Sequence, residues 1–127
     1  MIDVIIASYN EPKATLRAVE IFLKQGPKKD FRVIVVDPFA EVREFLKKNI
    51  KDKRFVFFKD PGEGKNYALT ILFQEYYSEN KNDIFILTDG DVYVSENSVE
   101  EITKTFRNNL NVGCITGKVV STDSRSE

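Results

Sequence analysis

The stretch Val33-Ile34-Val35-Val36-Asp37-Pro38 places four β-branched residues in a row and then stops at an acid and a proline. A strand with one face in water alternates apolar and polar residues. A continuous run bounded by turn residues suits a strand covered on both faces. Three other stretches repeat the pattern. Val4-Ile5-Ile6-Ala7 stops at Ser8-Tyr9-Asn10, and Phe55-Val56-Phe57-Phe58 stops before Asp60-Pro61-Gly62. Ile84-Phe85-Ile86-Leu87 stops at Thr88-Asp89-Gly90-Asp91.

Longer amphipathic segments lie between these runs. The first carries Leu16, Val19, Ile21, Phe22 and Leu23 and ends near Gly26-Pro27; the second carries Val42, Phe45 and Leu46. The third carries Ala68, Leu69, Ile71, Leu72, Phe73 and Tyr76. A fourth opens with Ser98-x-x-Glu101, the spacing of a capping box, and continues through Val99, Ile102 and Phe106. Residues 112–120 read as a last strand or strand pair. Alternating strand and helix predicts parallel βαβ units with right-handed crossovers, hence an α/β three-layer sandwich around a mostly parallel sheet.

At 127 residues the chain fits one domain. Hydrophobic residues make up 42% and charged residues 31%, a balance that excludes disordered and collagen-like chains. A single cysteine, Cys114, allows no internal disulfide, and the chain has no histidine. Zinc or haem sites of the usual ligand types are therefore not expected, histidine-dependent nucleophilic sites are ruled out, and a metal here is expected to be a hard cation held by oxygen. No apolar run approaches the ~20 residues of a membrane span. The start lacks a basic leader, so the expected location is the cytoplasm.

Charge is unevenly spread. Residues 1–60 carry 13 Lys/Arg against 9 Asp/Glu, and residues 61–127 carry 6 against 11, giving +4 and −5 and the overall −1. The basic excess lies in Lys28, Lys29, Arg32, Lys47, Lys48, Lys51, Lys53 and Arg54. Such a run is a solvated helix end and loop, or a surface for a phosphate-rich or peripheral membrane partner. No nucleic-acid module is present, and nucleic acid is not expected as a partner.

Ligands of parallel α/β sheets bind beyond the carboxyl ends of the strands. Each of the first four runs ends there in polar or turn residues, so Ser8-Tyr9-Asn10, Asp37, the loop from Asp60 to Asn66, and Asp89 with Asp91 are expected to converge. Asp89-Gly90-Asp91 offers two carboxylates that suit a shared Mg²⁺ or Mn²⁺, with glycine allowing a tight turn and a close ligand. Gly62-x-Gly64-Lys65-Asn66 runs into a helix, where exposed amides and a lysine suit a phosphate. It is neither a Walker loop nor the dinucleotide fingerprint.

These segments together resemble the nucleotide-sugar-binding half of family-2 glycosyltransferases, which have the Rossmann-like GT-A fold. Residues 4–12 are similar to that family's opening strand and Tyr-Asn-x-Pro turn, and residues 33–37 to its second strand with a terminal aspartate. Residues 64–69 are similar to its Gly-Lys-x-x-Ala-Leu segment, Asp89-Gly90-Asp91 to its Asp-x-Asp motif, and residues 112–117 to its next strand. The resemblance implies a single nucleotide-sugar-binding domain over residues 1–120 with a polar tail over 121–127, acting in inverting transfer from a UDP- or GDP-sugar. It implies that Asp91 ligates the metal, with Asp89 on the ribose or assisting at the metal. Asp37 would read the base, Gly64 and Lys65 would meet the diphosphate region, and Ala7, Tyr9 and Glu11 would line the base pocket. The family's acceptor half and its general base follow the Asp-x-Asp half, so no base can be carried over, and the resemblance implies the N-terminal part of a larger GT-A domain. A non-catalytic nucleotide-sugar-binding domain is the alternative. Self-association through residues 112–120, or a locally disordered tail, is a further expectation.

Overall fold

The computed structural model describes residues 1–76, 83–90 and 97–108. Eight elements alternate along the chain: β1 (Ile2–Ala7), α1 (Pro12–Gln25), β2 (Phe31–Asp37), α2 (Ala40–Asn49), β3 (Phe55–Lys59), α3 (Lys65–Tyr76), β4 (Ile84–Asp89) and α4 (Ser98–Asn108). The strands pair in parallel in the order β3-β2-β1-β4. Every expected strand and helix within the described residues is present. The last strand expected over 112–120, the polar tail, Cys114 and Asp91 lie outside them.

This order follows from crossover handedness. From β1 to β2 to β3 the sheet grows in one direction, so right-handed crossovers put α1 and α2 on one face. The step from β3 to β4 runs back past β1, so the same handedness puts α3 on the other face. Side chains on each face of the sheet confirm the division. Val4, Ile6, Val33, Val35, Ile84 and Ile86 pack with Ala18, Val19 and Phe22 of α1, Val42 and Leu46 of α2, and Val99 of α4. Ile5, Ile34 and Val36 pack with Ala68 and Leu72 of α3. Successive side chains of one strand thus enter opposite layers, which is why β1 and β2 needed continuous apolar runs.

The outer strands are less covered than the expectation of burial on both faces. β3 is half-buried apart from its exposed end at Lys59. In β4, Ile84 and Ile86 are buried under the α1 layer, while Leu87 on the other side is 51% exposed.

Each end of α1 has a distinct local cause. Pro12 starts it, where a missing N–H costs nothing. Gly26 ends it, and a Cβ at that position would fall inside the ring of Phe31. The first-turn amide of Val99 in α4 donates to Oε1 of Gln25 at 3.0 Å, so α1 helps cap α4. Asp3 is buried beneath a bidentate ion pair with Arg32, at 2.7 and 2.9 Å. This removes Arg32 from the free basic excess, and its guanidinium also lies 4.8 Å from the centroid of Tyr76.

Candidate functional site

The strand order reverses between β1 and β4, and the sheet there opens at its carboxyl edge. Beyond that edge lies a cleft of about 530 Å³, lined by Ala7, Ser8, Tyr9 and Glu11 after β1, Val36, Pro38 and Phe39 around the end of β2, Asp60, Gly62, Gly64 and Lys65 after β3, Ala68 and Leu69 of α3, and Asp89 and Gly90 after β4. The volume is within the range of small-molecule sites. Six residues singled out in the sequence meet here: Ala7, Tyr9, Glu11, Gly64, Lys65 and Asp89.

Lys65 and Asp89 form the charged part of the cleft. The Lys65 Nζ donates to Asp89 Oδ1 at 2.7 Å, and both side chains are more than half exposed, at 57% and 55%. Twenty-four positions separate them in sequence. They meet because α3 begins, and β4 ends, at the same edge. The preceding loop is shaped by two glycines in the left-handed region, Gly62 at φ 85° and Gly64 at φ 102°. The Gly62 N–H donates to Asp60 Oδ1 at 2.7 Å, and the Gly64 carbonyl accepts the Ala68 amide at 3.1 Å to start α3.

Part of the lining is aromatic. Tyr9 is 70% exposed and meets Phe39 edge-on, with ring centroids 5.0 Å apart and planes at 81°. Asp37 holds these two rings from behind. It is fully buried and does not line the cleft. Its Oδ2 accepts from Ser8 Oγ at 2.6 Å and from the Asn10 amide at 3.0 Å, and its Oδ1 accepts from the Phe39 amide at 2.7 Å. Asn10 is left-handed at φ 53°, a conformation asparagine tolerates better than most residues. The aspartate expected to face a ligand therefore ties together the β1–α1 and β2–α2 loops.

Gly90 is set by space and not by a left-handed turn. Its amide donates to the Ala7 carbonyl at 2.9 Å, continuing the β1–β4 ladder. A Cβ there would lie 2.9 Å from Thr15 Oγ1 and 3.0 Å from Ser8 Cβ. The Thr15 hydroxyl is buried and has no hydrogen-bond partner among the described residues.

Ser8 and Asp60, expected at this edge but given no role, also line the cleft, and Phe39 is the lining residue that the sequence reading passed over. Phe39 lies two residues after the end of β2, and that position at the carboxyl edge was the available signal.

For a metal, the described residues contain no cluster of three potential ligands. The carboxylates of Asp89 and Asp60 in the cleft wall are hard oxygen donors, and their chemistry fits Mg²⁺ or Mn²⁺.

Comparison with known proteins places this cleft in a family context. No curated protein matches the sequence. Two solved structures of S. aureus TarS are similar in fold. The first, of residues 1–349, has 22% identity and a TM-score of 0.59, covering 84% of this chain and 32% of that one. The second has 20% identity and a TM-score of 0.61, covering 95% and 23%. The chain thus spans about a third or less of the structures it resembles, and they share the GT-A architecture. The model of the family described as "Glycosyl transferase family 2" matches residues 3–126. With that match running almost from end to end, the chain belongs to glycosyl transferase family 2.

Proposed function

We propose that the cleft binds a nucleoside diphosphate sugar, a UDP- or GDP-sugar, and that the chain is the donor-binding part of an inverting glycosyltransferase. The observation that carries this reading is the meeting of Lys65 and Asp89 at the switch point, in one cleft with the exposed ring of Tyr9. A cation, an acid and an aromatic face are the three features that a diphosphate, a metal or ribose, and a base require.

In this reading the base lies against Tyr9, with Ala7 and Glu11 beside it. Asp37 is a positioning residue: it fixes the loops that carry Tyr9 and Phe39. Lys65 and the amides after Gly64 meet the diphosphate. Asp89 and Asp91 would hold Mg²⁺ or Mn²⁺. A bound divalent ion supplies charge neutralisation for the departing diphosphate. The chain's own contribution is to hold the donor with its base clamped and its diphosphate against Lys65, which fixes the sugar's orientation. The acceptor and the base that deprotonates it are not assigned to any residue.

Equilibrium dialysis with UDP- and GDP-sugars tests this. Lys65→Met is expected to weaken donor binding by about tenfold or more, the loss of one charge-assisted contact. Wild-type affinity in that variant would contradict the assignment.

A further inference from the structure

The end of the sheet opposite the cleft carries a concentration of lysine that the donor site does not use. Two loops form it, residues 26–30 before β2 and residues 50–54 before β3, with the last turns of α1 and α2. Arg54 fixes them side by side. Its Nη1 donates to the carbonyls of Gly26 and Pro27, at 3.1 and 2.8 Å, and its Nη2 to that of Leu23 at 2.8 Å. Its Nε and Nη2 also bind the two oxygens of Asp52, at 3.0 and 2.8 Å. Around this clamp Lys24, Lys28, Lys29, Lys47, Lys48, Lys51 and Lys53 are all exposed. Among the described residues none of the seven is in an ion pair, and only Lys51 has a hydrogen bond, to the Lys47 carbonyl at 3.3 Å.

Two local explanations fall short. Helix ends attract cations, but Arg54 already serves the terminal carbonyls of α1. Acids that might balance the lysines are few: Asp52 is taken up by Arg54, and Asp83 faces the N-terminal ammonium at 2.9 Å. Asp30 remains exposed, as do Glu20 one turn before Lys24, Glu44 one turn before Lys48, and Glu100, which shares a groove with Gly26, Pro27, Lys104 and Arg107. The patch keeps a clear positive excess.

We propose that this face docks on an anionic lipid bilayer. The patch is built of lysine. Both arginines of the basic excess are held internally, Arg32 by Asp3 and Arg54 by Asp52. Lysine is a flexible point charge without the fork that pairs bidentately with carboxylates or guanine. Such charges suit a laterally mobile layer of phosphates, where each contributes without a fixed geometry. Among the described residues the seven lysines also have no exposed aromatic residue among them to stack on bases, which weighs against single-stranded nucleic acid. Docking by this end leaves the carboxyl edge of the sheet pointing into the water, so the donor cleft stays open while the domain is bound. The proposal does not depend on the donor reading.

Co-sedimentation with phosphatidylcholine vesicles, with and without phosphatidylglycerol, tests it. The chain is expected to bind only the anionic vesicles and to release as salt shortens the screening length. The variant carrying Lys28→Gln, Lys29→Gln, Lys48→Gln and Lys53→Gln is expected to bind roughly a thousandfold more weakly, with an unchanged melting temperature. Lys65→Gln, in the cleft, is expected to bind vesicles as the wild type does. Equal binding to neutral vesicles, no binding to anionic ones, or full binding by the four-lysine variant would overturn the proposal. So would a short DNA duplex that binds this face more tightly than the anionic vesicles do.

Discussion

Lys65 opens α3 and Asp89 closes β4, and their side chains meet at 2.7 Å across the cleft mouth. The contact joins the start of the crossover helix to the far end of the strand that the helix leads into. Because both groups are largely exposed, the pair is worth less than about 1 kcal/mol to stability. Lys65→Met and Asp89→Asn are therefore expected to melt within a few degrees of the wild type while losing donor affinity. Thermal denaturation beside equilibrium dialysis checks the separation. A large drop in melting temperature would mean that the pair is structural.

Asp37 is expected to behave in the opposite way. Asp37→Ala leaves the Ser8 hydroxyl and the amides of Asn10 and Phe39 without their acceptor, at a cost of about 3 kcal/mol or more. Asp37→Asn keeps one carbonyl oxygen and is expected to lose less. Urea denaturation of the two variants gives the order. If Asp37→Ala were as stable as the wild type, the carboxylate would not be holding these loops.

Gly90 and Thr15 make a paired test. Gly90→Ala brings a methyl group against Ser8 and Thr15 and is expected to cost about 1–3 kcal/mol. Thr15→Val replaces a buried hydroxyl that has no partner with a methyl of similar shape. It is expected to be neutral or slightly stabilising. A loss above about 1 kcal/mol would show that the hydroxyl is satisfied in solution.

Much of this was legible in the sequence because burial on both faces leaves a mark. The runs at Val4 and Val33 had to be continuous, since their side chains enter two layers, and the alternation with helices then set parallel pairing. The convergence of Tyr9, Lys65 and Asp89 followed from parallel strands sharing one edge. What stayed hidden was side-chain direction. Asp37 and Asp89 both end strands, yet one turns inward to bind two loops and the other faces the cleft. Gly90 reads as a turn glycine, but its need comes from Thr15, far off in sequence. Arg54 counts as free charge until the carbonyls of Leu23, Gly26 and Pro27 are brought beside it. The exposure of Leu87 was missed for a similar reason: an apolar run does not report how well each face is covered.

Acid should loosen the Arg54 clamp. Hydrogen bonds from the Arg54 side chain, and then from its amide, lower the Asp52 carboxyl from 3.8 to about 2. A folded-state value below the unfolded one means that the stabilisation is present above pH 3.8 and is lost as pH falls through about 2. Discounted for solvent screening, its size is about 1 kcal/mol. Asp52→Asn is expected to remove this part of the acid limb of a stability–pH curve measured by urea denaturation. An unchanged limb would show that other carboxylates dominate it.

Calorimetric titration of UDP- and GDP-sugars into the chain, with and without Mn²⁺, tests the assignment of the cleft as a metal-assisted donor site most directly. One of the two nucleotide classes is expected to bind, and to bind more tightly with Mn²⁺, and Asp91→Asn is expected to lose most of that enhancement by removing a charged hard-oxygen ligand. Binding that ignores the metal, or no binding by either nucleotide at millimolar concentration, would contradict the account.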